Sequence, residues 1–145
     1  NLNYWRFGDY LGIGAGAHSK LSFPDRIVRE LRYKQPRQYL AQVDARTPVQ
    51  QASVVSREDV GFEFMLNALR LADGVPAALF AERTGYPLAI VARGIAAATA
   101  RGLLEPDPDT LRPTALGQRF LNDLTTLFLP ERRGRTPIPE AGPGF

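Results

Sequence analysis

Glycine stands at every second position from residue 12 to residue 16, inside an apolar, uncharged segment that runs from residue 11 to residue 17. Repeated glycine weakens a helix, so the segment predicts a short buried strand. Glycine in a strand also lets another backbone or a flat ligand approach closely. His18 follows at the predicted carboxyl end of the strand, where parallel sheets commonly bind ligands. Close packing of the strand against a helix is the alternative explanation of the glycines.

Chemically useful side chains are concentrated in the first nineteen residues, which contain Trp5 and His18, the only tryptophan and the only histidine of the chain. No amphipathic helix follows the glycines directly, and no Gly-Lys-Ser/Thr ending is present. Neither a dinucleotide fingerprint nor a phosphate loop is therefore indicated. Taken alone, His18 is compatible with a structural hydrogen-bonding role or with a ligand. Tyr4 and Trp5 are compatible with core packing or with a stacking platform.

The composition excludes several classes of protein. The 145 residues are 44% hydrophobic, yet no apolar run approaches the roughly 20 residues of a membrane span. The first residues lack the charged-then-apolar pattern of a secretory leader, so no leader is expected among them. The absence of cysteine excludes disulfides, thiolate metal sites and cysteine nucleophiles, and it is compatible with a cytoplasmic location. The net charge of +3 comes partly from basic clusters at 26–46 and 132–135, which predict solvated faces or a patch for a phosphate or an acidic partner.

The residues before position 56 predict few regular elements. A loop precedes the glycine strand, and residues 19–26 predict a turn. Alternating apolar residues at 26–33 predict an edge strand with a basic outer face. Pro36 suits the first turn of a short helix, with Tyr39, Leu40 and Val43 on its apolar side. Residues 48–55 predict a linker or a short strand before a new domain.

The pattern becomes helical from residue 56 to residue 129, where Ser56 predicts the first N-cap. Further helices are predicted at 76–83, at 87–101 and after Thr114, with a small hairpin at 103–112. The predicted inward positions of the four helices are Phe62, Met65, Leu66, Leu69; Leu79, Phe80; Leu88, Val91, Ile95, Ala98; and Leu116, Phe120, Leu124, Leu127. This order of elements is that of a winged-helix domain. The Pro-, Gly- and Arg-rich residues 130–145 predict a flexible tail.

A winged helix raises the question of nucleic-acid binding. A recognition helix needs Arg, Lys, Asn or Gln to reach base edges. The predicted outer face of the third helix is Ala89, Arg93, Ala96 and Ala100, which offers almost no donors. The predicted wing carries three acids at 105–109, where they should repel a phosphate. The domain therefore predicts a packing or docking module without a nucleic-acid partner, and a winged-helix nucleic-acid-binding module is the alternative from another functional class.

A family resemblance is carried by residues 1–5, Asn-Leu-Asn-Tyr-Trp, and by residues 8–18, Gly-Asp-Tyr-Leu-Gly-Ile-Gly-Ala-Gly-Ala-His. Both segments resemble the HemW family of radical S-adenosylmethionine (SAM) proteins, bacterial haem chaperones related to oxygen-independent coproporphyrinogen III oxidase. Residues 62–128 look like the C-terminal domain of the same family. The resemblance implies an α+β, mainly helical fold. The resemblance divides the chain into the terminal strands of a radical-SAM partial barrel in 1–47, a linker at 48–55 and a winged-helix-like HemN C-terminal domain at 56–129. This last domain would be a lid for the barrel.

Two departures from the family pattern concern metal and haem ligands. Family members carry a histidine just before the Asn-x-x-Tyr-Trp motif, a motif linked to haem binding, and the present sequence begins one residue after that position. They also carry Cys-x3-Cys-x2-Cys near the N-terminus to hold a [4Fe–4S] cluster, whereas the present chain has no cysteine. Together these departures predict a C-terminal fragment of a longer protein, inactive alone as a radical enzyme.

The resemblance implies a protein that binds haem and delivers it to apo-haemoproteins, with SAM and the [4Fe–4S] cluster bound elsewhere in the full-length protein. The alternative within the same family is the oxidase that decarboxylates two propionates of coproporphyrinogen III by a SAM-derived radical. An imidazole at His18 favours haem handling, because it can ligate iron or hydrogen-bond a carboxylate.

The resemblance also implies roles for the residues of the site. Tyr4 and Trp5 would pack against the porphyrin, Arg6 would pair with a propionate, and His18 would ligate the haem iron or anchor a polar group. The small residues that would let SAM or porphyrin approach the strand end are Gly14, Ala15, Gly16 and Ala17. A strand separated from its barrel neighbours would also favour association of two copies of the chain.

Overall fold

The computed structural model describes residues 2–130. The tail predicted at 130–145 therefore lies, apart from Pro130, outside the described residues. The elements before residue 56 are α1 (Leu2–Trp5), β1 (His18–Ser22), β2 (Ile27–Arg32), α2 (Pro36–Asp44) and β3 (Val49–Val54). The later elements are α3 (Arg57–Ala68), β4 (Val75–Pro76), α4 (Ala78–Thr84), a 3₁₀ helix (Leu88–Val91), α5 (Ala92–Ala100), β5 (Thr110–Leu111), α6 (Ala115–Arg119) and α7 (Leu121–Thr126). The fold is thus a mixture of helix and strand.

Strands β1, β2 and β3 form one antiparallel sheet with β2 in the middle. His18 of β1 faces Leu31 of β2, and Val28 of β2 faces Val54 of β3. The prediction of an edge strand at 26–33 is wrong, because β2 has a neighbour on each side. The segment predicted as a linker or short strand forms β3. Pairing between distant segments, which the local pattern does not encode, produces this arrangement.

Strand β1 occupies residues that were predicted to form a turn. The turn itself is confined to 23–26, where the Phe23 amide donates to the Arg26 carbonyl at 2.7 Å. Helix α2 begins at Pro36, as predicted. Its Leu40 and Val43 are exposed rather than packed on the sheet, so the predicted apolar side of this helix is largely open.

Helix α3 lies at the centre of the hydrophobic core. The Asp59 amide donates to Ser56 Oγ at 3.2 Å, which confirms the predicted N-cap. Phe64 of this helix is fully buried, and its ring meets the rings of Phe7 and Phe80 edge-on at centroid distances of 5.7 and 5.0 Å. The core therefore joins the N-terminal segment to the helical region.

The predicted fourth helix is interrupted. Thr114 caps it, since the Gly117 amide donates to Thr114 Oγ1 at 3.0 Å, but the helix divides at Phe120 into α6 and α7. Leu116 and Phe120, predicted to point inward, are exposed. Leu116 points outward because the neighbouring Gly117 faces the core, where a Cβ would collide with the Leu103 carbonyl oxygen. Phe120 lies at the break between α6 and α7, where the backbone leaves the helical conformation.

Candidate functional site

The glycine segment at 11–17 is a loop on the surface, and the prediction of a buried strand there is wrong. Leu11 and Ile13 are 63% and 86% exposed. The glycines lie on the inner side instead: the Gly14 amide donates to the Tyr39 hydroxyl at 3.2 Å, and the Gly16 amide donates to the Tyr33 carbonyl at 2.8 Å. Glycine does alternate with apolar residues in this segment, but the apolar side chains face solvent.

The close approach of the loop backbone to the backbone of β1 explains why the aliphatic side chains face solvent. A Cβ at Gly12 would meet the carbonyl oxygen of His18, and the Gly12 amide donates to Ser19 Oγ at 2.9 Å. Gly14 has a φ of +103°, which favours glycine. The loop is therefore bonded directly to the sheet, and its side chains at Leu11, Ile13 and Ala15 are directed outward. We call these three residues the apolar edge.

His18 opens strand β1 rather than closing a buried strand. Its position is fixed by the hydrogen bond from the Arg32 amide to the carbonyl of the preceding residue, Ala17, at 2.9 Å. The residue is exposed, while Ser19 and Lys20 immediately after it are buried. The imidazole therefore stands at the boundary between the sheet and the apolar edge, where a ligand can reach it from solvent.

The predicted aromatic residues lie on α1. Tyr4 is 44% exposed, and its ring lies 5.6 Å from the ring of Tyr10, at an interplanar angle of 45°. Trp5 is half-buried, and Arg6 is exposed. Within residues 2–130, no hydrogen bond or ring contact joins these three side chains to the His18 side chain. The structure thus places the predicted site residues on two elements, α1 and the loop leading into β1.

Lys20 connects these two elements. Its side chain is 2% exposed, and its Nζ donates to the Phe7 carbonyl at 2.9 Å and to Asp9 Oδ1 at 3.4 Å. The same ammonium lies 3.9 Å from the centre of the Phe7 ring, a cation–π contact. Burial lowers the pKa of the Lys20 ammonium below its ordinary value, although Asp9 acts in the opposite direction.

Asp9 holds the chain between α1 and the loop. Its carboxylate accepts hydrogen bonds from the Ser22 amide at 3.0 Å and from the Ser22 hydroxyl at 2.7 Å. Partial burial acts to raise the pKa of Asp9, but these two hydrogen bonds and the charge of Lys20 outweigh it, so the pKa lies below its ordinary value. The Asn3 side chain donates to the Asp9 carbonyl at 3.0 Å, which ties α1 to the same point.

Arg29 links the sheet to the core helix. Its guanidinium forms an ion pair with Glu63 of α3 and donates to the Tyr10 hydroxyl at 3.3 Å. Burial acts to lower the pKa of Arg29, yet the Glu63 carboxylate and Tyr10 outweigh it and raise the pKa. Tyr10 in turn exchanges backbone hydrogen bonds with Lys20 at 3.1 and 3.0 Å. The predicted site is therefore supported by charged and polar contacts from three elements.

Sequence reasoning missed the supporting residues. Lys20 could not be recognised from the sequence as a supporting residue, because its partners Phe7 and Asp9 lie more than ten positions away in the chain. Leu11 and Ile13 were noticed only as strand residues. Their exposure could have been suspected from the glycines between them, which suit backbone contact better than side-chain packing.

A concavity of about 510 Å³ lies away from the glycine loop, between the start of α3, the start of α5 and the residues after α7. Its apolar lining includes Phe62, Ile90 and Phe128, with Arg57 and Glu58 nearby. Across residues 2–130, no group of three or more His, Asp or Glu side chains is arranged to hold a metal ion. No helix in that part of the chain is long and apolar enough to cross a membrane.

The comparisons with known proteins agree with one another. The family model of the HemN C-terminal domain matches residues 55–120. The heme chaperone HemW of Escherichia coli K12 is 41% identical over 132 residues, which are 90% of this chain and 34% of that protein. The heme chaperone HemW of Haemophilus influenzae is 40% identical over 90% of this chain and 33% of its own.

A solved structure shares the fold. The coproporphyrinogen III oxidase HemN of Escherichia coli, a radical SAM enzyme, superposes on 83% of this chain and 28% of its own with a TM-score of 0.58 and 19% sequence identity. The present chain spans about a third of the length of the curated relatives it matches. The sequence relatives and the matched domain together show that the chain belongs to the HemW-like family of radical SAM proteins and carries a HemN C-terminal domain.

Proposed function

We propose that this chain is part of a protein that binds haem and delivers it to apo-haemoproteins. The observation that carries the proposal is the apolar edge, Leu11, Ile13 and Ala15, held outward beside the exposed His18. Exposed aliphatic side chains on a loop that is fixed by backbone hydrogen bonds are typical of a binding surface. The curated relatives named heme chaperones support the choice of haem as cargo.

The residues present fit haem chemically. Haem offers a flat apolar ring, an iron atom that accepts an imidazole, and two propionates. The apolar edge suits the ring, His18 is a candidate iron ligand, and the exposed Arg6 is a candidate partner for a propionate. Tyr4 and Trp5 are candidates for further contact with the ring. Gly14, Ala15, Gly16 and Ala17 keep their proposed role as the place where haem or SAM comes close to the backbone.

The [4Fe–4S] cluster and the main part of the SAM site belong to the proposed full-length protein outside this chain, with residues 14–17 at the border of that site. The chain contains no cysteine, so it supplies no thiolate for a cluster. SAM bound there would supply radical chemistry, and the residues described here would contribute only to binding and positioning of the cargo. Oxidative decarboxylation of coproporphyrinogen III is the second candidate function, and the fold shared with HemN favours it.

We also propose that residues 56–129 form a winged-helix-like docking module. The pairing of β4 with β5 and the order of helices around it support that topology. Nucleic-acid binding is the less favoured use, because Glu105, Asp107 and Asp109 are all exposed on the segment that would approach a phosphate. A module with acidic side chains on this segment is better suited to packing against another protein surface.

The test is a haem titration of the full-length protein, followed by the Soret band. His18→Ala should shift the band and weaken binding, and Leu11→Ser should weaken binding without changing the ligand signature of the band. Val54→Ser is the matched control, because Val54 is 62% exposed and lies at the other end of the sheet, about 10 Å along the strands from the His18–Leu31 pair. Unchanged haem binding in both test variants would refute the assignment of this site. Turnover of coproporphyrinogen III without haem binding would favour the oxidase.

A further inference from the structure

The end of α1 is built on an unusual residue. The Phe7 amide donates to the Tyr4 carbonyl at 3.1 Å and the Gly8 amide to the Asn3 carbonyl at 2.8 Å, the bond pattern of a Schellman motif. Phe7 occupies the left-handed position of that motif, with a φ of +60°. Glycine is usual there, because a side chain in this conformation is strained. A bulky residue persists at such a position only when its surroundings hold it, and strain of this kind clusters at functional sites.

Lys20 holds Phe7 on two sides. Its Nζ donates to the carbonyl of Phe7 and also lies over the face of the ring. The same ring forms a T-shaped contact with the ring of Phe64 in the core. The ring explains why glycine is not used: it anchors the end of α1 in the core, and Lys20 fixes the direction of the peptide that leaves it.

We propose that Lys20 is a positioning residue that fixes α1, and with it Tyr4 and Trp5, relative to strand β1 and the apolar edge that precedes it. The proposal rests on the proposed function for its ligand but not for its geometry. Lys20 lies two residues after His18 on β1, and it contacts the end of the helix that carries the aromatic residues. Lys20 therefore acts together with the hydrogen bond from Asn3 to the Asp9 carbonyl in setting the position of the aromatic helix relative to the strand that presents His18.

The alternative is that Lys20 merely stabilises the fold, and the two roles make different predictions. A structural role alone would lower stability while the environment of Trp5 in the folded protein stayed the same. A positioning role requires that Trp5 move when the ammonium is removed, even in protein that remains folded. The experiment must therefore report on Trp5 directly.

The test uses full-length protein labelled with 5-fluorotryptophan and read by ¹⁹F NMR, with the Trp5 signal assigned by its loss in Trp5→Phe. Lys20→Met keeps the apolar stem and removes the charged donor. In Lys20→Met, we expect the Trp5 signal measured in the absence of haem to shift or broaden. We also expect the affinity for haem to fall about ten-fold, which corresponds to the loss of a hydrogen bond from a charged group. Lys20→Arg, which keeps a cationic donor, should restore part of both.

The outcomes separate this inference from the proposed function. A shifted Trp5 signal in protein whose wild type binds no haem would support the positioning role and refute the haem assignment. An unchanged Trp5 signal in Lys20→Met would overturn the positioning role, whatever haem does. If Lys20→Met fails to fold, Phe7→Leu is read in the same way, because it keeps an apolar anchor but removes the ring face that the ammonium covers. Its Trp5 signal should also shift, and an unchanged signal would overturn the proposal.

Discussion

Replacing Phe7 with alanine tests whether the N-terminal segment and the helical region share one core. The Phe7 side chain is 1% exposed and contacts the ring of Phe64 in α3. Alanine would face the same left-handed backbone conformation, so the comparison isolates the loss of the ring. The substitution removes apolar contact with Phe64 and also deprives the buried Lys20 of its cation–π partner.

The expected loss follows from these contacts. Truncation of a buried phenylalanine to alanine costs about 3–5 kcal/mol, which includes the cavity that is left behind. A cation–π contact in a desolvated site contributes about 1–2 kcal/mol, part of which is already contained in the first figure. We therefore expect Phe7→Ala to lower the free energy of unfolding by about 4 kcal/mol, a large fraction of the roughly 5–15 kcal/mol of a typical domain.

Urea unfolding followed by circular dichroism measures this loss. With a slope of about 2 kcal/mol per molar urea, the midpoint should fall by about 2 M. Phe120→Ala is the matched control, because Phe120 is 46% exposed and should cost less than about 1 kcal/mol. If Phe7→Ala cost no more than this control, the ring would not join the two regions, and the reasoning about the shared core would be refuted.

Three further predictions concern the glycine loop, the carboxylate behind it and the cap of α6. Gly12→Ala should destabilise by about 1–3 kcal/mol in thermal unfolding, because its Cβ would meet the His18 carbonyl; a neutral result would mean that the loop does not touch the strand. Since the folded-state pKa of Asp9 is lowered, its contribution is fully present above pH 3.8 and is lost as pH falls through the folded-state pKa. Urea titrations from pH 6 to pH 2 should show a smaller acid loss in Asp9→Asn, and an identical pH profile would contradict the role of the Ser22 hydrogen bonds. Thr114→Ala should cost about 1 kcal/mol in the same assay, while Thr114→Ser should retain most of the stability.

Elements that depend on local chemistry were predictable from the sequence. Ser56 and Thr114 cap helices in the structure, and Pro36 begins one. Each signal requires only a side chain and the backbone within a few residues of it, so no knowledge of the tertiary fold is needed. The helical character of residues 57–126 was therefore recognised, whereas the short strand β4 and the division of the last two predicted helices were not.

Elements that depend on distant partners were only partly predictable. Strand β3 was predicted as one of two alternatives, a linker or a short strand, because Gln50 and Gln51 give it no apolar pattern, and its pairing with β2 decides between them. The orientation of α6 follows from the close approach of Gly117 to Leu103, which periodicity cannot reveal. In both cases the deciding contact spans more than ten residues of sequence.

The candidate site shows why a correct period can give a wrong orientation. Alternation of glycine with Leu11, Ile13 and Ala15 identifies two faces, but it does not say which face is inward. Burial of apolar side chains normally decides this question in favour of the aliphatic face. Here the amides of Gly12, Gly14 and Gly16 bond to the sheet and its neighbours, and the face of Gly12 closes on the His18 carbonyl, so the loop lies against the sheet with its aliphatic side chains outward. The same bonds that make the buried-strand prediction fail thus create an exposed apolar surface beside the only histidine of the chain.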